Sequence, residues 1–341
     1  MKPETGLIIG KFLPPHLGHQ YLVDFARAYV KHLTVLVCTL AAEPIPGELR
    51  FNWMREMFPD VDIRHHIDEN PQEPHEHPDF WRIWRDSIMR HCPAADVLFA
   101  SEKYGIPLAK VLNARFVPVD IGRSLVPVSG TRVRERPLEN WRYLPPVVRS
   151  HFVKRVCVFG PESAGKTTLA RDLALHFDTV YVHEYARHLL ELKPTLCEAS
   201  DIPLIARGQI AAEEALARQA NRVLICDTDI LTTVMWSEIL FGGCPDWIRE
   251  EAERRMYDLY IVLEPDCPWI DDKVRYQPDQ AERLAFRDRC VRELETRGRP
   301  YILVGGSWED RFEAARHAVS RLLDESDTPV SPLESISGGA S

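Results

Sequence analysis

The stretch Gly160-Pro161-Glu162-Ser163-Ala164-Gly165-Lys166-Thr167 spells G-x(4)-G-K-T. Its glycines let backbone N–H groups wrap phosphate oxygens, and a helix starting at its end turns a positive pole toward them. Lys166 is expected to reach the β- and γ-phosphates, and Thr167 to hold Mg²⁺. Glu162, Ser163, Ala164 and Thr168 complete the nucleotide-binding stretch. A second set of candidates lies far upstream, in Gly10-Lys11-Phe12-Leu13-Pro14-Pro15-His16-Leu17-Gly18-His19. There H-x-G-H puts two imidazoles where a strand turns into a helix, a place suited to a triphosphate. Two histidines that merely cap or pack at a helix start would give the same letters.

Other residues extend each set. Ser129-Gly130-Thr131-Arg132-Val133-Arg134 contains S-x-T-x-x-R. Ser129 is a good helix N-cap, Thr131 can meet phosphate and Arg134 adds charge; an ordinary capped helix with solvated arginines is the other reading. Trp81 and Trp84 offer aromatic faces for a base or another flat ring, and core packing accounts for them equally. Arg50 is a candidate for an acceptor phosphate. Beyond the phosphate loop, Val223-Leu224-Ile225-Cys226-Asp227 is an apolar run ending in an acid, the form of a Walker B element, with Asp227 expected to hold Mg²⁺. Glu184 is a candidate base for a hydroxyl acceptor. Arg187 can pair with Glu184 or face phosphate, and Tyr185 and Asp229 are further acceptor-side candidates. Arg275 reads either as an internal arginine finger on a lid or as a solvated loop arginine.

These groups need elements to hold them. Runs at 7–9, 34–40, 97–100 and 116–119 read as strands in the first half, with helical spacing over 17–32. Residues 65–78, with His65, His66, His75 and His77, read as a polar, proline-rich loop without regular metal-ligand spacing. Pro137, Pro145 and Pro146 mark a break near 137–150. The alternation then restarts, with strands predicted at 155–159, 179–183, 222–226, 259–263 and 301–304 and helices at 203–220 and 278–297. The fold expected is α/β, two doubly wound parallel-sheet domains over 1–150 and 151–324, with a disordered Ser/Pro/Gly-rich tail at 325–341.

Composition fits. The chain has 341 residues, 45% apolar and 27% charged, and a net charge of −9, which argues against a general nucleic-acid binder. The first residues do not read as a signal peptide, and no apolar run approaches a bilayer span. The eight cysteines are scattered, and Cys38, Cys157 and Cys226 fall in strand-like runs, as reduced core residues would. The cytoplasm is the expected compartment, and the number of subunits in any homo-oligomer stays open.

The pairing of H-x-G-H and S-x-T-x-x-R resembles the nucleotidyltransferase superfamily. The resemblance implies that Lys11, His16, His19, Ser129, Thr131 and Arg134 embrace ATP, with Gly10 and Phe12 flanking. Followed by the phosphate loop, Glu184–Arg187 and Asp227–Asp229, the chain resembles the bifunctional NadR-type family from about Gly6 to about Leu323. That resemblance implies a nicotinamide mononucleotide adenylyltransferase in front of a ribosylnicotinamide kinase. The implied ligands are ATP, Mg²⁺, nicotinamide riboside, its mononucleotide and NAD, with neither nucleic acid nor membrane as partner. Some members begin with a helix-turn-helix domain; the first strand here starts by about Gly6, so no repressor role is expected. The family's Asp-Gly-x-Arg lid reads Asp272-Lys273-Val274-Arg275 here, with lysine in place of glycine. The motifs mostly recognise ATP, so a fusion acting on another acceptor, or a nucleotide-sensing regulator with weak catalysis, fits the same letters.

Overall fold

A computed structural model describes residues 3–193, 195–269, 276, 277 and 279–326. The chain divides into two compact units, Met1–Val148 and Arg149–Ser341.

The first unit runs β1 Thr5–Gly10, α1 Leu17–Tyr29, β2 His32–Cys38, α2 Gly47–Met57, β3 Asp62–His66 and α3 Phe80–His91. It continues with β4 Val97–Ala100, α4 Gly105–Val111, β5 Arg115–Pro118 and α5 Gly130–Glu135. Helix α6, Pro146–Phe152, carries the chain past the boundary. The sheet order is β3-β2-β1-β4-β5, and every pairing is parallel. Alternation along β1 explains why both faces are covered. Ile8 enters a core with Val23, Ala26, Val35 and Met54. Leu7 and Ile9 enter another with Leu36, Ile88 and Leu108. A strand apolar on both sides needs helices on both sides, the usual setting of a parallel sheet. The order reverses between β1 and β4, so the carboxyl end of β1 opens onto the crevice where such sheets hold ligands.

The second unit runs β6 Lys154–Phe159, α7 Lys166–His176, β7 Tyr181–Val182, α8 Tyr185–Glu191, α9 Ile202–Ala217 and β8 Val223–Asp227. Then come α10 Ile230–Phe241, α11 Asp246–Arg254, β9 Leu259–Leu263, α12 Gln280–Thr296, β10 Tyr301–Val304 and α13 Trp308–Ser326. Its sheet, β10-β9-β6-β8-β7, is again parallel, with the glycine-rich loop leaving the central strand.

Two expectations about elements change. His65 and His66 are not loop residues; they end β3, paired with Val37 and Cys38. The 179–183 strand shortens to Tyr181–Val182. Residues 327–341 of the expected disordered tail lie outside the described residues. Among the described residues no helix is long and apolar enough to cross a membrane. All eight cysteines are free, with Cys38, Cys157 and Cys226 buried.

Candidate active sites

At the carboxyl end of β1, Phe12 takes a left-handed conformation, φ 47°, and buries its ring. That ring lies over Gly10, where an added Cβ would come within 3.2 Å of it. It meets the His19 ring edge-on at 4.8 Å. His16 and His19 form the N-terminal cap of α1. His16 Nδ1 accepts from Gly18 N at 3.1 Å, and His19 Nδ1 accepts from His16 N at 3.3 Å. The two rings stack with centroids 3.8 Å apart. The glycine between them has a reason: a Cβ on Gly18 would sit 2.9 Å from His16 Cε1. Since both Nδ1 atoms accept, each neutral ring carries its proton on Nε2. Burial, with a smaller push from the Arg123 charge, lowers the His16 pKa to about 4. Burial, then His16 and Arg123, holds His19 well below its ordinary value. Capping and function are therefore not alternatives here. The cap leaves two uncharged N–H donors at neutral pH.

The S-x-T-x-x-R segment abuts this loop. Ser129 Oγ accepts from Arg132 N at 3.3 Å and caps α5. A Cβ on Gly130 would lie 3.1 Å from Leu13 O, and Arg134 Nη1 donates to that same carbonyl at 3.0 Å. Thr131 is exposed beside them. Sequence reading did not single out Arg123 or Tyr104. Arg123 pairs with Glu102 at 2.8 Å. The Tyr104 hydroxyl donates to Ile9 O at 2.7 Å, at the end of β1. No local pattern marks either; the loops after β4 and β5 bring them in.

Arg50 is the first correction among the site residues. It was expected to meet an acceptor phosphate, yet its side chain is 0% exposed. It is ion-paired with Glu43 and donates to Lys11 O at 2.6 Å. Glu43 in turn lies 3.1 Å from Lys11 Nζ. Arg50 thus braces the Gly10–His19 loop from behind. Trp81 and Trp84 are partly buried against the core around Leu7 and Ile88. The Trp84 indole donates to Pro71 O at 2.8 Å and stacks on His66 at 5.5 Å. The structure brings His66, Asp68 and His91 together at metal-ligand spacing. Ser87 Oγ, however, lies 2.6 Å from both His66 Nε2 and Asp68 Oδ2, and Arg90 pairs with the same carboxylate at 2.9 Å. That network is satisfied by protein groups.

In the second unit the glycine-rich loop needs left-handed backbone at Ser163, φ 55°, and Gly165, φ 91°. Gly160, φ 132°, also passes so close to β9 that a Cβ would lie 3.0 Å from Leu263 O. Lys166 Nζ donates to Pro161 O at 2.9 Å, across the mouth of the loop. Thr167 Oγ1 donates to Asp227 Oδ2 at 2.5 Å. The other Asp227 oxygen, Oδ1, is buried without a hydrogen-bond partner among the described residues. Burial, then the Glu184 charge, raises the Asp227 pKa to about 6 despite Lys166 and Thr167. Glu162 is also raised by burial, although its Oε2 accepts from Tyr276 N at 2.8 Å and Gln277 N at 3.0 Å.

Beside these acids lies a pocket open at its mouth. Its lining includes Glu162 and Glu184, the neighbouring rings of Trp236 and Tyr276, and the apolar Ile202 and Ile205. Arg187 Nε stands 4.0 Å from Glu184 and Nη1 3.9 Å from Glu191, the salt-bridged arrangement. Asp229 is the second correction. Expected at the substrate, it is buried with both oxygens engaged, Oδ1 by Thr232 N at 2.9 Å and Oδ2 by the Tyr260 hydroxyl at 2.8 Å. It caps α10 and is 2% exposed. The Tyr185 ring packs on Gly208 of α9, where a Cβ would come within 2.1 Å, and its N–H donates to Gln209 Oε1 at 3.0 Å. Arg275 and the rest of 270–275 lie outside the described residues.

Comparison with known proteins gives three findings. Residues 155–311 match the AAA domain family. Over 351 aligned residues the chain is 29% identical to the trifunctional NAD biosynthesis/regulator protein NadR of Escherichia coli K12, covering 95% of this chain and 84% of that protein. The protein of the same name from Salmonella typhimurium LT2 is 28% identical over 94% of this chain and 84% of its own. Crystal structures of a NadR protein in complex with NR, and in complex with NAD and AMP-PNP, superpose with TM-scores of 0.77 and 0.75. Each is 23% identical; the first covers 98% of this chain and 99% of its own, the second 97% and 98%. These likenesses carry the fold: two parallel-sheet α/β domains in tandem.

Proposed function

This chain belongs to the NadR-type proteins, and from that premise we propose that it makes NAD in two steps at two sites. The second unit phosphorylates the 5′-hydroxyl of nicotinamide riboside with ATP. The first joins the resulting mononucleotide to AMP from a second ATP. One observation carries the reading: each unit sets its own motif, H-x-G-H in the first and G-x(4)-G-K-T in the second, at the carboxyl end of a central parallel strand. A pocket lined by two aromatic rings and two carboxylates suits an acceptor that carries both a flat ring and hydroxyls.

In the kinase step the riboside hydroxyl oxygen bonds to the γ-phosphorus as the bond to the bridging β-oxygen breaks, and ADP leaves. Glu184, in the lining of the pocket, takes the hydroxyl proton. Lys166 turns from Pro161 O to the phosphates and balances their charge. The donor set fits Mg²⁺, because Asp227 Oδ1 is a buried carboxylate oxygen without a partner among the described residues, beside the Thr167 hydroxyl. Thr167 and Asp227 would hold it. Bound there, Mg²⁺ would supply charge neutralisation on the β- and γ-phosphates.

In the adenylyl step a phosphate oxygen of the mononucleotide bonds to the α-phosphorus of ATP, and pyrophosphate leaves. No side-chain nucleophile is required; positioning and charge stabilisation suffice. His16 and His19 donate from Nε2, with Lys11, Ser129, Thr131 and Arg134 around the phosphates. Trp81 and Trp84 remain candidates for the nicotinamide ring. The net charge of −9 argues against a general nucleic-acid binder, and free cysteines, five of the eight buried, are in keeping with the cytoplasm.

The test is direct. Purified protein is incubated with ATP, Mg²⁺ and either the riboside or the mononucleotide, and the products are separated by chromatography. ADP with mononucleotide from the first mixture, and NAD with pyrophosphate from the second, are expected. Silence in both, with ATP still bound, would mean that the acceptor is wrong.

A further inference from the structure

We propose that Trp308 is the platform on which the base of the kinase-site nucleotide stacks. This rests on the kinase reading only in taking the glycine-rich loop as the seat of a nucleoside triphosphate.

Direction comes from the sheet. The loop leaves β6, the middle strand of β10-β9-β6-β8-β7. The groups that meet the transferring end of the triphosphate lie to one side of it. Asp227 ends β8, Glu184 follows β7, and the acceptor pocket is walled by residues of α9 and α10. With its γ-phosphate turned that way, the nucleotide must lead its ribose and base away on the opposite side. There the chain segment leaving β10 is what the base can meet, since the one leaving β9 runs on to Tyr276 in the acceptor pocket.

Trp308 stands on that side, at the start of α13 and a few residues past β10. Its indole lies directly against the phosphate loop, where a Cβ on Gly165 would come within 2.1 Å of the ring. Yet the residue is 50% exposed. The loop meets its six-membered ring and the Arg311 guanidinium stands over the indole, which leaves about half of the residue's surface for another flat ring to cover.

The seat is also rigid. Arg311, fully buried, donates to Gly306 O at 2.9 Å, Ala164 O at 2.9 Å and Glu264 O at 3.2 Å, and pairs with Asp266. It therefore ties together the segments after β10, β6 and β9, and its guanidinium lies 5.5 Å from the Trp308 ring. An indole held this way can accept a base without first being ordered. Its contact would be with the π-face, so it would strengthen binding of any nucleoside triphosphate and leave base identity to other groups.

The full-length chain carrying Trp308→Ala or Trp308→Phe is assayed for riboside phosphorylation with Mg²⁺ in excess. The readouts are KM for ATP, KM for the riboside and inhibition by inorganic tripolyphosphate, which has phosphates but no base. Trp308→Ala should raise KM for ATP roughly tenfold, with the other two constants unchanged. Trp308→Phe should restore most of the affinity. An unchanged KM for ATP would overturn the proposal. So would a parallel rise in the tripolyphosphate constant, which would make the indole a prop for the loop. If the chain phosphorylates no riboside, ATP and tripolyphosphate are titrated calorimetrically, taking only the binding that Lys166→Ala removes. Selective loss of ATP binding in Trp308→Ala then supports the platform whatever the acceptor, and equal loss of both ligands overturns it.

Discussion

At the end of β1 the groups proposed to meet phosphate are two imidazoles kept neutral by burial. Beside the loop leaving β6 stand a lysine ammonium, proposed for the phosphates, and the buried Asp227 carboxylate that ends β8, one of whose oxygens has no partner among the described residues. Both units place these groups at the same point of the same kind of sheet, so the fold does not dictate the electrostatics. The chemistry proposed for each does. Transfer of the terminal phosphoryl group concentrates charge that a fixed cation and a metal can balance. Attack at the inner phosphorus leaves a pyrophosphate to be gripped by several directional donors, which neutral N–H groups can supply. Lys166→Ala is the change expected to cut deepest, lowering kinase kcat/KM about a thousandfold while pyrophosphate release persists. His19→Ala should do the reverse, by about a hundredfold. ADP and pyrophosphate measured on one preparation decide it, and loss of both activities in a folded variant would break the two-site picture.

The glycines sharpen the contrast. Gly165→Ala forces a side chain onto left-handed backbone and into the Trp308 ring. A drop of about a hundredfold in kinase kcat/KM is expected. Gly18→Ala has only the His16 ring to displace, but that ring is stacked under His19 and tied to Gly18 N. A smaller loss, about tenfold, is expected in adenylyl transfer alone.

Acid should separate the sites further. Asp227 must be ionised to hold a cation, and its pKa is raised to about 6. Kinase kcat/KM should therefore fall as pH drops through about 6, since kcat/KM reports the free enzyme. His16 loses its cap only when Nδ1 is protonated, near pH 4. Adenylyl transfer should show no histidine limb between about pH 5 and 8. The same numbers fix a stability trend. His16 binds a proton more weakly folded than unfolded, so the native state loses stability as pH falls from about 6.5 toward 4, by up to about 3 kcal/mol. Urea melts of the wild type and of His16→Gln across that range measure it.

How much of this could be read from the letters follows from distance along the chain. The H-x-G-H and G-x(4)-G-K-T loops are contiguous, and their strands are apolar runs, so β1, β6, β8, β9 and β10 were legible. β3 was not. It is an edge strand carrying Asp62, Arg64, His65 and His66, and it lacks the apolar run that marks its neighbours. Arg50 and Asp229 were misread because charge suggests a surface or a ligand. Each is instead buried by partners distant or hidden in sequence: Lys11 O for Arg50, the Tyr260 hydroxyl for Asp229. The Glu162 contact with Tyr276 and Gln277 spans more than a hundred residues, and no spacing encodes it. Motifs show where a chain will grip phosphate; only the fold shows which neighbours are already committed.

Arg123 gives the finest test of why the first site is neutral. Its charge lowers both histidine pKa values, but burial is the larger cause for each. Arg123→Ala should therefore move the His16 titration upward by less than about one unit, leaving both rings neutral at pH 7. Histidine NMR titration of the full chain, assigned with His16→Gln, reads the shift. If His16 instead rose to its ordinary 6.5, charge repulsion rather than burial would be what keeps the imidazoles uncharged. The two sites would then differ in which charges sit beside the loop, and not in how deeply the loop's own side chains are buried.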